Sequence, residues 1–236
     1  MSIETIIPNW PAPANIVAFT TLRSAGNFAL HVNDAPQKVL ANRAQLSCSP
    51  FWLNQTHSDK VIQIDESTVD TVPDADGSYT KLANKACAVL TADCLPVLLC
   101  DTSGQEIAAL HAGWRGLLGN ILARGVECFS AKPNDILVWL GPAIGPKAFE
   151  IGPEVYEAFT KTHPENAAAF APSPKAGHFY LDIYLLARLY FARMGVTQVY
   201  GGDYCTYTDP QKFYSYRAEG QTGRMVTIIY KDNLEK

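Results

Sequence analysis

Ala86-Cys87-Ala88-Val89-Leu90-Thr91-Ala92-Asp93-Cys94-Leu95-Pro96-Val97-Leu98-Leu99-Cys100-Asp101 contains two strand-length apolar runs separated by one polar break. A third run, 106–111, follows at once and ends on His111. Short apolar runs bounded by Asp, Gly or Pro read as strands, here 86–91, 96–101 and 106–111. Because they are nearly continuous in apolarity, with no in/out alternation, they predict sheets covered on both faces.

Outward from that centre, 15–21, 61–65, 136–141 and 225–230 carry the same strand signature. Helical spacing appears over 116–130, where Leu117, Ile121, Leu122, Val126 and Phe129 share a stripe. It recurs over 181–194, where Leu185, Leu186, Leu189 and Tyr190 share another and Gly195 is the expected stop. A third helix is expected over 153–162. The Ala-, Pro- and Ser-rich segment 165–177 reads as an exposed loop within a domain, since sheet-forming sequence resumes after it. Strands and helices without regular βαβ alternation predict α/β layers with a mixed sheet, and neither a Rossmann fold nor a TIM barrel. The chain contains no GxGxxG or GxxxxGK[ST] string to support a nucleotide-binding fold.

The 236 residues are 47% hydrophobic and 18% charged, enough apolar sequence to bury a substantial core and to be read as a single domain over 1–236. A net charge of −4 with no Lys/Arg cluster gives no electrostatic footprint for nucleic acid. No apolar run approaches the roughly 20 residues that span a bilayer, and the N-terminus lacks a basic region followed by an apolar one. The cytoplasm is therefore the expected location. Six thinly spread cysteines with no CxxC pair are expected to be reduced, with Cys87, Cys100 and Cys128 in the core.

Three positions stand at the edges of these apolar runs and carry metal-ligating chemistry. His57 lies in a polar turn before strand 61–65, Cys94 at the bend between two strands, and His111 at a strand end. Taken singly, a Cys is more often a small core residue and a His a hydrogen-bonded one. Together they make a two-imidazole, one-thiolate set that leaves a coordination position open, the arrangement of catalytic zinc rather than structural zinc. After His111 comes Ala112-Gly113-Trp114-Arg115-Gly116, a glycine-bearing turn into the expected helix. Its amides, helix dipole and Arg115 would receive an anion. A helix start and a neighbouring His would also lower the Cys94 pKa. Asp93, beside the thiol, is a candidate for proton transfer or for orienting a ligand. His163 and His178 read as surface residues.

The strings Gln55-Thr56-His57, Ala75-Asp76-Gly77, Thr91-Ala92-Asp93-Cys94-Leu95-Pro96-Val97, His111-Ala112-Gly113-Trp114-Arg115-Gly116, Leu140-Gly141-Pro142-Ala143-Ile144-Gly145-Pro146, Phe213-Tyr214-Ser215-Tyr216-Arg217 and Thr222-Gly223-Arg224 together resemble the YfiH or laccase-domain family, also called multicopper polyphenol oxidoreductase laccase-like proteins. The resemblance runs from about His57 to the C-terminus. It implies a single-domain layered α/β sandwich of mixed β-sheets flanked by helices, with His57, Cys94 and His111 as ligands of zinc or, alternatively, copper. It further implies a purine nucleoside phosphorylase acting on adenosine, inosine and methylthioadenosine, with adenosine deaminase activity. Its partners would be a purine nucleoside and phosphate, with Gln55, Arg115, Arg217 and Arg224 binding substrate or phosphate and Asp93, Cys94 and Arg115 catalytic. Two segments depart from the family pattern. Thr20-Thr21-Leu22-Arg23-Ser24-Ala25-Gly26 matches loosely, and Ala218 and Glu219 replace a usual Arg and Asp.

Two alternative chemistries use the same pocket. Cys94 as nucleophile with His111 as base would give an amide hydrolase, as in relatives linked to editing of peptidoglycan precursors. Copper-dependent oxidation of phenols ranks lower, because five histidines are too few for a multicopper centre.

Overall fold

The computed structural model describes residues 3–68 and 72–232. In chain order its strands and helices are β1 (Thr5–Ile6), β2 (Ile16–Thr21), α1 (Pro36–Arg43), β3 (Pro50–Phe51), β4 (Val61–Ile64), β5 (Gly77–Thr80), β6 (Ala86–Thr91), β7 (Leu95–Asp101), β8 (Ile107–Ala112), α2 (Trp114–Leu118), α3 (Ile121–Glu127), β9 (Ile136–Leu140), β10 (Glu150–Ile151), α4 (Pro153–Thr160), β11 (Phe170–Pro172), β12 (Phe179–Leu181), α5 (Ile183–Arg193), β13 (Gln198–Gly201), α6 (Tyr216–Glu219) and β14 (Met225–Lys231). They form a five-stranded sheet ordered β1-β2-β14-β6-β3, a six-stranded sheet ordered β13-β9-β7-β8-β5-β4, and a small sheet β10-β12-β11. Both large sheets mix parallel and antiparallel pairs. The architecture is a layered α/β sandwich of mixed sheets flanked by helices.

The strand period of two explains why the apolar runs are continuous. Leu98 and Cys100 of β7 join Cys87, Val89 and Ile229 of the facing sheet in one core between the two sheets. Their neighbours Val97 and Leu99 point the other way, into a core closed by Leu117, Ile121, Leu122, Leu186 and Phe191 from the helices. The second face of β6 is covered as well, with Ala86, Ala88 and Leu90 packing beside Phe19 and Phe28. Each position in these strands is therefore buried, on one side or the other.

The structure corrects four sequence expectations. The helix expected over 116–130 is two short helices, α2 and α3, with Asn120 between them in the left-handed region at φ 74°. The apolar stripe continues across that break, which is why the spacing looked uninterrupted. Segment 165–177 is structured in part. A 3-10 turn spans Pro164–Ala169, buried Asn166 donates to the Phe159 carbonyl at 2.9 Å, and β11 pairs with β12. Strands β1, β3, β5, β10, β11, β12 and β13 were not expected. All seven are two to four residues long, and β5 is wholly buried although its Gly, Ser and Thr carry no apolar signal. Cys87 and Cys100 are fully buried but Cys128 is only half-buried; all six cysteines are free. Among the described residues no helix is long and apolar enough to cross a membrane.

Candidate metal centre

Strand register brings the three ligand candidates together. In the β7–β8 pair Pro96 faces His111 and Leu95 faces Ala112, so Cys94, one residue before β7, lies beside the end of β8. In the β5–β8 pair Gly77 faces Leu110, which sets Asp76 against His111, and the His111 N–H donates to the Asp76 carbonyl at 2.7 Å. His57 arrives on the turn before β4, with a left-handed φ of 61°.

Asp76 organises this meeting. Its buried carboxylate accepts from His111 Nδ1 at 2.7 Å, from the backbone N–H groups of Thr56, His57 and Ser58 at 3.1, 3.0 and 2.7 Å, and from Ser58 Oγ at 2.7 Å. One side chain thus orients the first imidazole directly and the second through its backbone. A carboxylate on Nδ1 leaves Nε2 of His111 for a ligand bond and raises its basicity. Burial opposes the Asp76 charge, but the hydrogen bonds from His111 and Ser58 win and hold its pKa down at about 2.

Cys94 Sγ lies 3.9 Å from His57 Nε2, the His57 and His111 ring centroids are 4.8 Å apart, and the three donor atoms all fall within 4.8 Å of one another. Zinc bonds of roughly 2.0–2.3 Å in a tetrahedral site separate its donors by somewhat less than this. A contraction of roughly 1–1.5 Å in the widest pair would close the set on one ion. Gly113 makes room for it: a Cβ there would stand 3.0 Å from Cys94 Sγ and 3.3 Å from His57 Cδ2. Burial disfavours ionisation of Cys94, yet the facing imidazoles outweigh it and lower the thiol's pKa; burial likewise opposes charge on His111, which Cys94 and Asp76 overcome and raise. The donor set fits a borderline-soft divalent ion, and among the described residues it is the one group of three or more such side chains.

The group lies in a cavity of about 500 Å³ whose wall includes Trp114, Ile144, Phe149 and Ile183, together with Arg115, Arg217, Arg224 and His31. A larger open cleft of about 800 Å³ beside α5 contains none of the three donors.

Other candidate residues are placed differently from one another. Gln55 has both ends of its amide committed to β6: Nε2 donates to the Leu90 carbonyl at 2.8 Å and Oε1 accepts from the Leu90 N–H at 2.7 Å. Asp93, at φ 86°, accepts from Thr206 Oγ1 and from the Arg217 N–H, each at 2.6 Å, while its carbonyl accepts from the Ile144 N–H. Arg217 donates to the carbonyls of Ala148 and Glu150, which steadies the Phe149 loop. Arg115 is exposed over the Trp114 ring, 4.6 Å from its centroid. Arg224 is half-buried and donates Nη1 to Thr222 and Gly223. The helix after His111 has only five residues, so the dipole assigned to a fifteen-residue helix contributes little to the thiol or to an anion.

Sequence reading passed over two residues here, Asp76 and His31. Asp76 had only its place in the string Ala75-Asp76-Gly77 to mark it; that it meets His111 follows from the pairing of β5 with β8. The two segments that depart from the family pattern meet in space, where Glu219 accepts from Arg23 and from Thr222 Oγ1.

A sequence profile of the family described as multi-copper polyphenol oxidoreductase laccase matches residues 19–232. The chain is 44% identical to a purine nucleoside phosphorylase of Pseudomonas aeruginosa, over 95% of this chain and 97% of the relative. It is also 44% identical to purine nucleoside phosphorylase YfiH of Escherichia coli, over 96% and 98% of the two chains. It superposes on the crystal structure of a Neisseria meningitidis protein with a TM-score of 0.92 at 41% identity, covering 97% and 99%. On YlmD from Geobacillus stearothermophilus the TM-score is 0.85 at 27% identity, covering 98% and 99%.

Proposed function

This chain belongs to the multi-copper polyphenol oxidoreductase laccase family, and on that premise we propose that it is a metal-dependent purine nucleoside phosphorylase. The observation that carries the reading is three donors within 4.8 Å, braced by Asp76, at the wall of a cavity of about 500 Å³, which is large enough for a nucleoside. The substrates are adenosine, inosine or methylthioadenosine with inorganic phosphate, and adenosine deamination is a second activity of the same pocket. The metal is zinc, with copper as the alternative. The chain works as one domain in the cytoplasm.

In phosphorolysis a phosphate oxygen bonds to the ribose anomeric carbon as the bond to the purine nitrogen breaks, and the electron pair leaves on the base. The protein must hold an anion, orient the sugar and favour charge on the departing purine. Arg115 and Arg224, whose guanidinium groups retain donors for a ligand, serve the phosphate. The apolar wall of Ile144, Phe149 and Ile183 suits the flat face of a purine. Asp93 and Gln55 act as positioning residues, because their side-chain polar atoms are occupied, those of Asp93 by Thr206 and Arg217 and those of Gln55 by strand β6. A zinc ion held by His57, Cys94 and His111 would supply Lewis acidity, toward the nucleoside in phosphorolysis and toward water in deamination.

The test is formation of ribose 1-phosphate from inosine and phosphate, with zinc content measured on the same sample. His57→Ala and Cys94→Ala should lose both. Full turnover by metal-depleted protein, or no ribose 1-phosphate from any purine nucleoside, would refute the reading.

One observation favours a second chemistry. Without a metal, the Cys94 thiol and His111 imidazole are polarised toward a thiolate and imidazolium, as in cysteine hydrolases. Activity on an amide substrate by zinc-free protein, abolished by alkylation of Cys94, would establish it. A multicopper phenol oxidase is poorly supported by one three-donor group among the described residues.

A further inference from the structure

The cavity contains a third imidazole, outside the donor group. His31 precedes α1, is exposed, and lines the same cavity as His57, Cys94, His111 and Arg224. Among the described residues it alone of the five histidines has no hydrogen-bond partner. His57 meets Cys94, His111 meets Asp76, His163 meets Glu165, and His178 meets the Ala176 carbonyl.

Its electrostatic surroundings are one-sided. Arg43 from the end of α1, Arg224 from the segment before β14, and His57 and His111 from the donor group all act on it with the same sign. Although His31 is exposed, partial desolvation at the cavity, the largest cause, and these like-charged neighbours hold its pKa below the usual imidazole value. A divalent ion in place of protons on the donor imidazoles would push the same way. The carboxylate on its own segment, Asp34, is committed elsewhere, accepting from Asn27 Nδ2 and the Ala35 N–H and lying 3.9 Å from Lys38 Nζ. Arg43 is likewise engaged, stacked 3.6 Å over the Trp52 ring with Nε on the Phe28 carbonyl. Arg224 uses only Nη1 of its guanidinium on protein carbonyls, and the remaining guanidinium N–H groups bond no protein atom among the described residues. Cys94 and Asp93 are the anionic groups that act on Arg224 here, Asp93 is spent on Thr206 and Arg217, and an anion reaching His31 and Arg224 would meet donors not engaged by protein.

We propose that His31 and Arg224 form an oxyanion-binding wall of this cavity, Arg224 supplying a fixed charge and His31 an N–H donor to the incoming oxygen. That the oxyanion is the phosphate co-substrate rests on the phosphorylase reading; the wall itself does not. Of the cavity's other anion-binding features, Arg217 spends donors on carbonyls and α2 is too short to add a field.

Histidine NMR on the protein as purified, titrated with sodium sulfate, tests this with an ion that does not itself titrate near neutrality. The His31 resonance, identified by its loss in His31→Gln, should move saturably, and its titration midpoint should rise by about one pH unit because the anion favours the protonated ring. Sulfate affinity should accordingly fall as pH rises through that midpoint. His31→Gln should weaken sulfate and phosphate binding about tenfold and raise KM for phosphate while leaving KM for inosine unchanged. An unmoved His31 resonance, or equal sulfate affinity in His31→Gln, overturns the wall. If sulfate moves His31 but no ribose 1-phosphate ever forms, the wall stands and the phosphorylase reading falls. If phosphorolysis proceeds with an unchanged phosphate KM in His31→Gln, the phosphorylase reading stands and the wall is not the site of its co-substrate.

Discussion

Gly113 has an ordinary φ of −70°, so backbone freedom is not what it provides. Its missing side chain is, because a Cβ would press on both Cys94 Sγ and His57 Cδ2. Gly113→Ala should therefore fold normally but bind zinc about tenfold or more weakly, as supporting changes around metal ligands commonly do. Chelator competition checks the affinity, and circular dichroism checks the fold. Asp76 acts by charge. Its folded pKa of about 2 lies below the ordinary carboxylate value, so it stabilises the native state above about pH 4, and that contribution disappears as pH falls through 2. A displacement of this size corresponds to about 2 kcal/mol. In the presence of chelator, Asp76→Asn should lose roughly that much stability at pH 7. The gap to the parent should close in strong acid, as followed by denaturant titration at several pH values; a gap independent of pH would remove the carboxylate from this role.

At the scale of elements, the break between α2 and α3 depends on Asn120, one of three non-glycine residues with positive φ among the described residues. The other two, His57 and Asp93, sit at the metal centre, where surrounding hydrogen bonds hold them in place. Asn tolerates the left-handed region and a β-branched residue does not. Asn120→Val should accordingly lower stability by about 1–2 kcal/mol, while Asn120→Gly should be nearly neutral. Thermal unfolding of the two variants compares them, and equal midpoints would mean that the break is not held by this conformation. The turn at Asp93 follows a different logic. Its carboxylate ties together the β6–β7 bend and the segments around Thr206 and Arg217, so elements remote in sequence share one anchor beside the thiol.

Across the whole molecule, the proposed ion would link the turn before β4, the β6–β7 bend and the end of β8, three places joined otherwise by strand register and Asp76. An ion that binds only the native state at a thousandfold excess over its Kd adds about 4 kcal/mol. For a chain of this size that is a rise in midpoint of roughly 10 °C. Calorimetry with and without zinc should show that rise on a single transition; two resolved transitions would divide the chain into separate units, and an unmoved midpoint would deny the site its ion. Much of the layered fold was legible beforehand. The near-continuous apolarity within 86–91 and within 96–101 announces strands buried on both faces, and burial of that kind is a property of composition along a short segment. The three ligand candidates were legible too, as His and Cys at the edges of apolar runs and through motifs in family order. What tertiary structure alone decided was who stands beside whom. The carboxylate of Asp76 reaches His111 because β5 pairs with β8 in one register, the amide of Gln55 is consumed by β6, and His31 enters the cavity from a segment far from it in the chain. Such neighbours are set by strand pairing over long separations, for which a local pattern of residues carries no signal.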